Sequence, residues 1–410
     1  MRILLINRNH FLAGGADRVY LNTGKLLEKY GHDVAYFSTV NDENLYSKQS
    51  SYFVEKIQTR GGSAYSKIFN VKKYLYNKDV SINLEKLIFD FKPDVAHLHL
   101  FYGVLSASVL SVLNKNKVPV VITIHDYRLL CPVNTLLDKN GQICEKCKKS
   151  RFYNCVLNRC SQDNFFQSTV VATEAYMRKY FFDPIVHIDH FIFVSHFSRN
   201  KHIMFDKRFK EKSTQLYNFT NGVTNITIHK GDYLFYYGRL SREKGILNLI
   251  NAVKQTNSKL IIAGDGPQKK EILTEINGIS NILYVGFKTG SELNELILKC
   301  SFVVVPSEWY ENNPMTIVES FQFGKPVIGS NIGGIPELIN TTTGFVFESA
   351  NQNSLCNAII AASEVSNDEY SNLSASCFNF ADVHFNEQTH LGVLTGIYKK
   401  VIDESNCPNS

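Results

Sequence analysis

Two carboxylates, Glu311 and Glu319, stand with seven residues between them around the start of a short amphipathic segment, in the stretch PSEWYENNPMTIVESFQFGKPVIGSNIGGIPEL from Pro306 to Leu338. The apolar run ending in Val303, Val304 and Val305 predicts a strand leading into a polar loop. Pro314 is placed to open a helix in which Ile317, Val318 and Phe321 share one face, and Gly324 and Pro326 to close it. The first-turn N–H groups of Met315, Thr316 and Ile317 then lack partners within the helix and carry the positive end of its dipole. Such a helix start holds anions. Helical side chains lean toward the N-terminus, so both carboxylates can reach what sits there. Phosphate on the amides and hydroxyls on the carboxylates suit a polyhydroxylated phosphate ester. The plainer alternative is an acidic cap with a solvated Glu.

A second group of chemistry-bearing residues lies in DYLFYYGRLSREKG. A strand over Tyr233 to Tyr237 runs into a loop with Arg239 and Lys244, and a helix follows from Ile246. An Arg fork and a compact Lys charge beside a helix start supply what a diphosphate leaving group needs. Loop cations alone are usually solvated; the pair gains weight from the Glu311 to Glu319 segment.

The elements that must hold these residues alternate strand and helix. Arg2 to Ile6 predicts a buried strand, followed by a loop with Gly14 and Gly15, a helix from Ala16 to about Tyr30 and a strand from Asp33. Gly15, lacking a Cβ, allows close backbone approach to a phosphate or sugar. Further strands are expected at Val95 to Leu100, Val120 to Ile124, the HFIFVS run from His190, and Gln215 to Phe219. Ser195 suits the N-cap of a helix from His196. His125 and Asp126 follow the Val120 to Ile124 run, at the strand end where parallel sheets bind ligands. LIIAGDGP from Leu260 is a strand and tight turn, not a dinucleotide fingerprint, because the third glycine is missing. A final helical pattern runs from Phe385 to Asp403.

The chain has 410 residues, which predicts two domains of roughly 150 to 200 residues. With 44% hydrophobic and 20% charged residues it reads as a soluble globular protein, and a net charge of +6 is too mild to argue for nucleic acid. The start MRILLIN is too short an apolar run for a signal peptide, and no stretch nears the roughly 18 residues of a membrane span. A cytoplasmic location is expected. Nine cysteines in such a chain do not read as a disulfide framework. Five crowd between Cys131 and Cys160; Cys144 and Cys147, with Cys155 and Cys160, have the makings of a structural zinc site, the alternative being reduced, partly buried thiols. No catalytic metal is expected.

Glu311, seven residues, Glu319 and the continuation GKPVIGSNIGGIPE resemble retaining GT-B glycosyltransferases of the glycogen synthase-like class, family 4, which serve bacterial polysaccharide and glycolipid synthesis. The resemblance extends over nearly the whole chain. It implies an α/β fold of two Rossmann-like parallel-sheet domains facing a central cleft: residues 1–220 on the acceptor side with the Cys-rich insertion 131–160, residues 221–384 for the nucleotide sugar, and a C-terminal helix within 385–410 crossing back to the first domain. It implies a catalytic centre of Glu311 and His125, with the donor held by Gly15, Arg239, Lys244, Phe287, Asn312, Asn313, Met315 and Glu319. Donor diphosphate faces the Gly15 loop and the Arg239 and Lys244 clamp, His125 lies against the sugar, the backbone at Phe287 holds the base, Glu319 anchors the ribose, and domain closure completes the site. The implied donor is a UDP- or GDP-sugar with no catalytic cofactor. The implied acceptor is a hydroxyl of a glycan or lipid-linked glycan, with peripheral contact to the inner membrane surface. Two rival readings are a nucleotide-sugar epimerase and an inactive sugar-nucleotide binding module.

Overall fold

A computed structural model describes residues 1–57, 64–220 and 229–406, with backbone alone over 64–69. Asn221, Gly222 and Asn225, read as a linker, lie outside the described residues. The chain divides into two compact units, one of Met1–Val194, Ser198–Leu216 and Leu391–Ser410, the other of Ser195–Phe197 and Tyr217–His390. The long segment of the second unit begins at Tyr217, where the sequence led to an expected start at 221.

The first unit is built on a parallel sheet of β1 (Arg2–Ile6), β2 (Asp33–Phe37), β3 (Val95–Leu98), β4 (Val120–Ile124), β5 (His190–Phe193) and β6 (Ser213–Gln215), in the order β2-β1-β3-β4-β5-β6. Strands covered on both faces read as continuous apolar runs rather than alternating ones. β4, VVITI, is buried at every position, and β1 at all but its first. β6 ends at Gln215, so the strand expected over Gln215 to Phe219 is three residues long and lies earlier; Leu216 and Phe219 are buried outside any strand.

The second unit repeats the architecture with β7 (Leu234–Tyr237), β8 (Leu260–Ala263), β9 (Ile282–Tyr284), β10 (Phe302–Val305), β11 (Val327–Ser330) and β12 (Gly344–Phe347), ordered β12-β11-β10-β7-β8-β9, again all parallel. The strand order reverses between β1 and β3 in one sheet and between β7 and β10 in the other. Ligands of open parallel sheets bind outside the strand carboxyl ends at such reversals. Arg239 and Lys244 follow β7, and Glu311 follows β10.

The last helix, Glu387–Asn406, places Leu394, Ile397, Tyr398 and Val401 on one buried stripe against Ile3, Leu5, Tyr20 and Val95. Tyr398 is fully buried and its hydroxyl bonds His97 Nδ1 at 2.6 Å, while His97 Nε2 bonds Thr123 Oγ1 at 2.8 Å. Both nitrogens of the buried imidazole are thus occupied, one by the chain's C-terminal helix. Among the described residues no helix is long and apolar enough to cross a membrane.

Replacing Tyr398 by Phe keeps the packing and strands a buried imidazole nitrogen, which costs about 1–3 kcal/mol. The Y398F variant should show an earlier urea unfolding transition followed by near-ultraviolet circular dichroism; an unmoved transition would contradict the role of this bond.

Candidate donor site

In the second unit the loops after β7 and β10 are joined by three polar contacts. Glu308 N–H donates to Glu243 O at 2.8 Å, Asn248 Nδ2 donates to Glu308 Oε1 at 2.8 Å, and Lys244 Nζ meets Glu311 Oε1 at 2.6 Å. Their backbones touch at Gly245, whose φ of +67° and position exclude a side chain: an added Cβ would lie 1.9 Å from Pro306 O. The residues Arg242–Lys244 form a single 3₁₀ turn ending at that glycine, and the helix Ile246–Val253 starts from it. Lys244 is therefore aimed by the turn rather than by a regular helix. Its ammonium also lies over the Trp309 ring, 5.3 Å from the centroid.

Glu311 is 6% exposed. Burial alone would raise its carboxyl pKa, but the Lys244 ammonium and the Ser307 hydroxyl, 2.7 Å away, outweigh burial and hold it below the ordinary carboxylate value. The group is an anion at neutral pH. The loop behind it is clamped by the glycine pair of β11's following turn: Gly334 N–H donates to Glu311 O at 2.7 Å, and a Cβ at Gly334 would fall 1.9 Å from Asn312 O. Asn313 Oδ1 accepts from Asn218 N–H at 2.9 Å, while its buried Nδ2 has no partner among the described residues.

The helix after this loop spans Met315–Gln322, with Pro314 as its extended N-cap rather than its first helical residue. This moves the helix start by one residue and removes Ile317 from the expected set of open donors, because its N–H reaches Pro314 O at 3.0 Å. The N–H groups of Met315 and Thr316 remain at the helix tip, and no side chain caps them. Glu319 lies beside the Tyr237 hydroxyl, which donates to Thr316 O at 2.9 Å. Arg239 is exposed and makes no ion pair among the described residues; its carbonyl is fixed by the Tyr236 hydroxyl at 2.8 Å. Phe287 is 69% exposed after β9, in a loop tied to the β8 loop by Gly264 N–H to Gly286 O at 2.9 Å. Lys244, Glu311, Asn312 and Asn313 thus share one stitched region. Ser307, Trp309 and Tyr237 were not singled out in the sequence, since no spacing marks a residue that only orients a neighbour.

In the first unit, the helix Gly15–Lys29 has an extended Gly14 as N-cap and no capping side chain. Gly15 is its exposed first residue. Asp17 in the first turn is buried and held by Asn7 Nδ2 at 2.9 Å. His125 follows β4, and its Nε2 lies 2.8 Å from His99 Nδ1. Burial pushes the His125 pKa down to about 3, so this imidazole is neutral at pH 7. At the start of the helix from His196, the His196 and Phe197 N–H groups are taken by the Glu337 carboxylate, at 2.8 Å for His196.

Cys144, Cys147, Cys155 and Cys160 are the quartet read from the sequence as a structural zinc site. Among the described residues no three Cys, His, Asp or Glu side chains converge to hold a metal ion. Cys147 and Cys155 instead pack with Phe152, Ala172 and Ala175 in a small apolar cluster that Cys160 borders. The Cys155 thiol donates to Cys160, a bond that raises the Cys155 pKa and lowers that of Cys160. Desolvation pushes the Cys147 thiol up to about 12, so it stays a thiol and behaves as a small hydrophobe.

Replacing Lys244 by Met leaves Glu311 buried without its cation. Glu311's folded pKa is below its unfolded value in the native chain, so the pair stabilises above about pH 4.5 and that contribution fades as pH falls. In K244M the folded pKa rises instead, and the penalty is largest when the carboxylate is charged. Urea unfolding should show a loss of roughly 2–3 kcal/mol at pH 7 that shrinks toward pH 4; an equal loss at both pH values would refute the buried pair.

A family model described as Glycosyltransferase Family 4 matches residues 13–221, and one described as Glycosyl transferases group 1 matches residues 225–375. An uncharacterized glycosyltransferase of Methanocaldococcus jannaschii is 33% identical over 188 residues, 44% of this chain and 52% of its own length. An uncharacterized 42.6 kDa protein in the cps region of Klebsiella pneumoniae is 26% identical over 358 residues, 82% of this chain and 87% of the relative. The chain thus spans about half the length of the first relative. Among solved structures, sucrose-phosphate synthase from Thermosynechococcus elongatus superposes with a TM-score of 0.69 at 18% identity, covering 98% of this chain and 99% of that one. Anabaena HepE in complex with UDP-glucose gives 0.65 at 18% identity, covering 98% and 99%. These likenesses establish the GT-B fold of two Rossmann-like units expected from the sequence. With a family model covering half of its residues, and two parallel sheets that each reverse strand order, the chain belongs to glycosyltransferase family 4.

Proposed function

We propose that the protein transfers a sugar, with retention at the anomeric carbon, from a nucleoside diphosphate to a hydroxyl of a glycan or lipid-linked acceptor in cell-surface polysaccharide synthesis. The observation that carries this reading is the Lys244 to Glu311 pair at the β7 and β10 reversal, which holds a cation on the loop that leads into the Met315–Gln322 helix. Breaking the anomeric C–O bond places negative charge on the departing phosphate and positive charge on the sugar. Lys244 has three N–H donors and gives one to Glu311, which leaves donors for phosphate oxygen. With Arg239 and the Met315 and Thr316 amides it stabilises the departing charge.

Glu311, held ionised, is suited to stabilising the developing sugar cation and unsuited to proton donation. The open Asn313 Nδ2, with Asn312, offers polar contact to sugar hydroxyls. Glu319 beside Tyr237 is assigned to the ribose, the backbone near Phe287 to the base, and Gly15 and His125 of the first unit to the donor phosphate and sugar. A neutral His125 accepts or donates one hydrogen bond without adding charge. A UDP- or GDP-sugar donor is supported by the UDP-glucose complex of the Anabaena neighbour, and polysaccharide synthesis by the cps-region relative. Contact with the cytoplasmic face of the membrane is supported by exposed Tyr153, Leu157, Phe165 and Phe166 near the exposed cations Lys146 and Lys149.

Calorimetry with a panel of UDP- and GDP-sugars, followed by nucleotide release with and without acceptors, tests the assignment. Arg239→Ala and Glu319→Ala should each lower kcat/KM on the order of 10²–10³-fold with the fold retained. Native turnover in either variant, or donor consumption that needs no acceptor, would overturn it.

A further inference from the structure

His99 belongs to none of the groups assigned above, yet it is the residue that His125 is bonded to. It follows β3, is 3% exposed, and its N–H donates to Ile6 O at 2.9 Å, so its backbone is fixed by β1. The ring is fixed as well. It packs 4.5 Å from the His97 ring, whose two nitrogens are already committed to Tyr398 and Thr123, and edge-on to the buried Tyr20 ring at 5.5 Å. Against this immobile ring His125 lies nearly parallel, 15° between planes and 5.1 Å between centroids, with the 2.8 Å nitrogen contact.

We propose that His99 is the positioning residue of His125, setting which ring nitrogen of that imidazole carries its proton and which way the ring faces. This rests on the sugar-contact role given to His125 above. When the two rings share one hydrogen bond and each carries a single proton, their tautomers are coupled: if His99 Nδ1–H donates, the His125 proton resides on Nδ1; if His125 Nε2–H donates, the His99 proton resides on Nε2. The pair lines a cavity of about 50 Å³ together with Arg8, Asp126, Arg128 and Asn134. A space of that size takes a few waters or a polar group of a ligand, so the identity of the polar atom His125 offers there decides whether an incoming hydroxyl donates or accepts.

The test compares His99→Phe, which keeps an aromatic ring and removes the nitrogen, with His99→Asn, which retains a polar atom near the Nδ1 position. Long-range ¹⁵N–¹H correlation spectra of histidine-labelled full-length protein report the His125 tautomer directly. The native chain should show one tautomer, His99→Phe a mixture, and His99→Asn a single tautomer again. In donor turnover, His99→Phe should lower kcat on the order of 10–100-fold with donor KM nearly unchanged, and His99→Asn should recover most of it. A His125 tautomer unaltered in His99→Phe overturns the proposal, as does an Asn variant no better than Phe. His125→Ala separates the two readings: full turnover there removes the sugar-contact role, while the tautomer spectra still decide the His99 pairing.

Discussion

The candidate site depends on a close backbone contact, that of Gly245 with Pro306. Two loops from neighbouring strands approach until no side chain fits between them, and every polar contact across the seam follows from that approach. At this distance Lys244 reaches Glu311 from a turn too short to aim it otherwise. The ion pair holds a buried carboxylate charged, and the charged carboxylate in turn fixes the lysine. Removing the glycine would separate the charges as well as strain the turn.

The fold was largely legible because covered parallel strands announce themselves as uninterrupted apolar runs. β1 and β4 match their expected bounds to the residue, and β5, β7 and β10 nearly so. Where the signal weakened, the reading slipped. The expected strand at Gln215 to Phe219 contains Leu216 and Phe219, which are buried by packing rather than by pairing, and hydrophobicity alone does not separate the two. Pro314 illustrates a finer limit, since proline suits both the N-cap and the first turn, and only the extended ψ of 121° places it outside the helix. Beside Ser195, a carboxylate 142 positions away in sequence, Glu337, holds the His196 and Phe197 amides, a partner that no local spacing announces.

Side-chain spacing singled out Glu311, Glu319, Arg239 and Lys244 because their chemistry is carried by charge, and the structure joins Lys244 to Glu311. Spacing missed Ser307, Trp309 and Tyr237, which act on those charges from positions fixed only in three dimensions. The cysteines went the other way. Their spacing suggested a shared metal, but Cys147 and Cys155 pack with Phe152, Ala172 and Ala175, and no three ligating side chains converge among the described residues. Thiol count reports a local excess of sulfur; burial decides its use.

The glycine pair at 333 and 334 has a consequence for how such an enzyme changes. Because Gly334 abuts the Asn312 carbonyl and bonds that of Glu311, the main chain carrying residues 311–313 is moulded from behind and cannot drift when its side chains are exchanged. Diversification at 312 and 313 can therefore proceed by swapping side chains on an unmoved scaffold, whereas any replacement of the glycines would deform the whole segment at once.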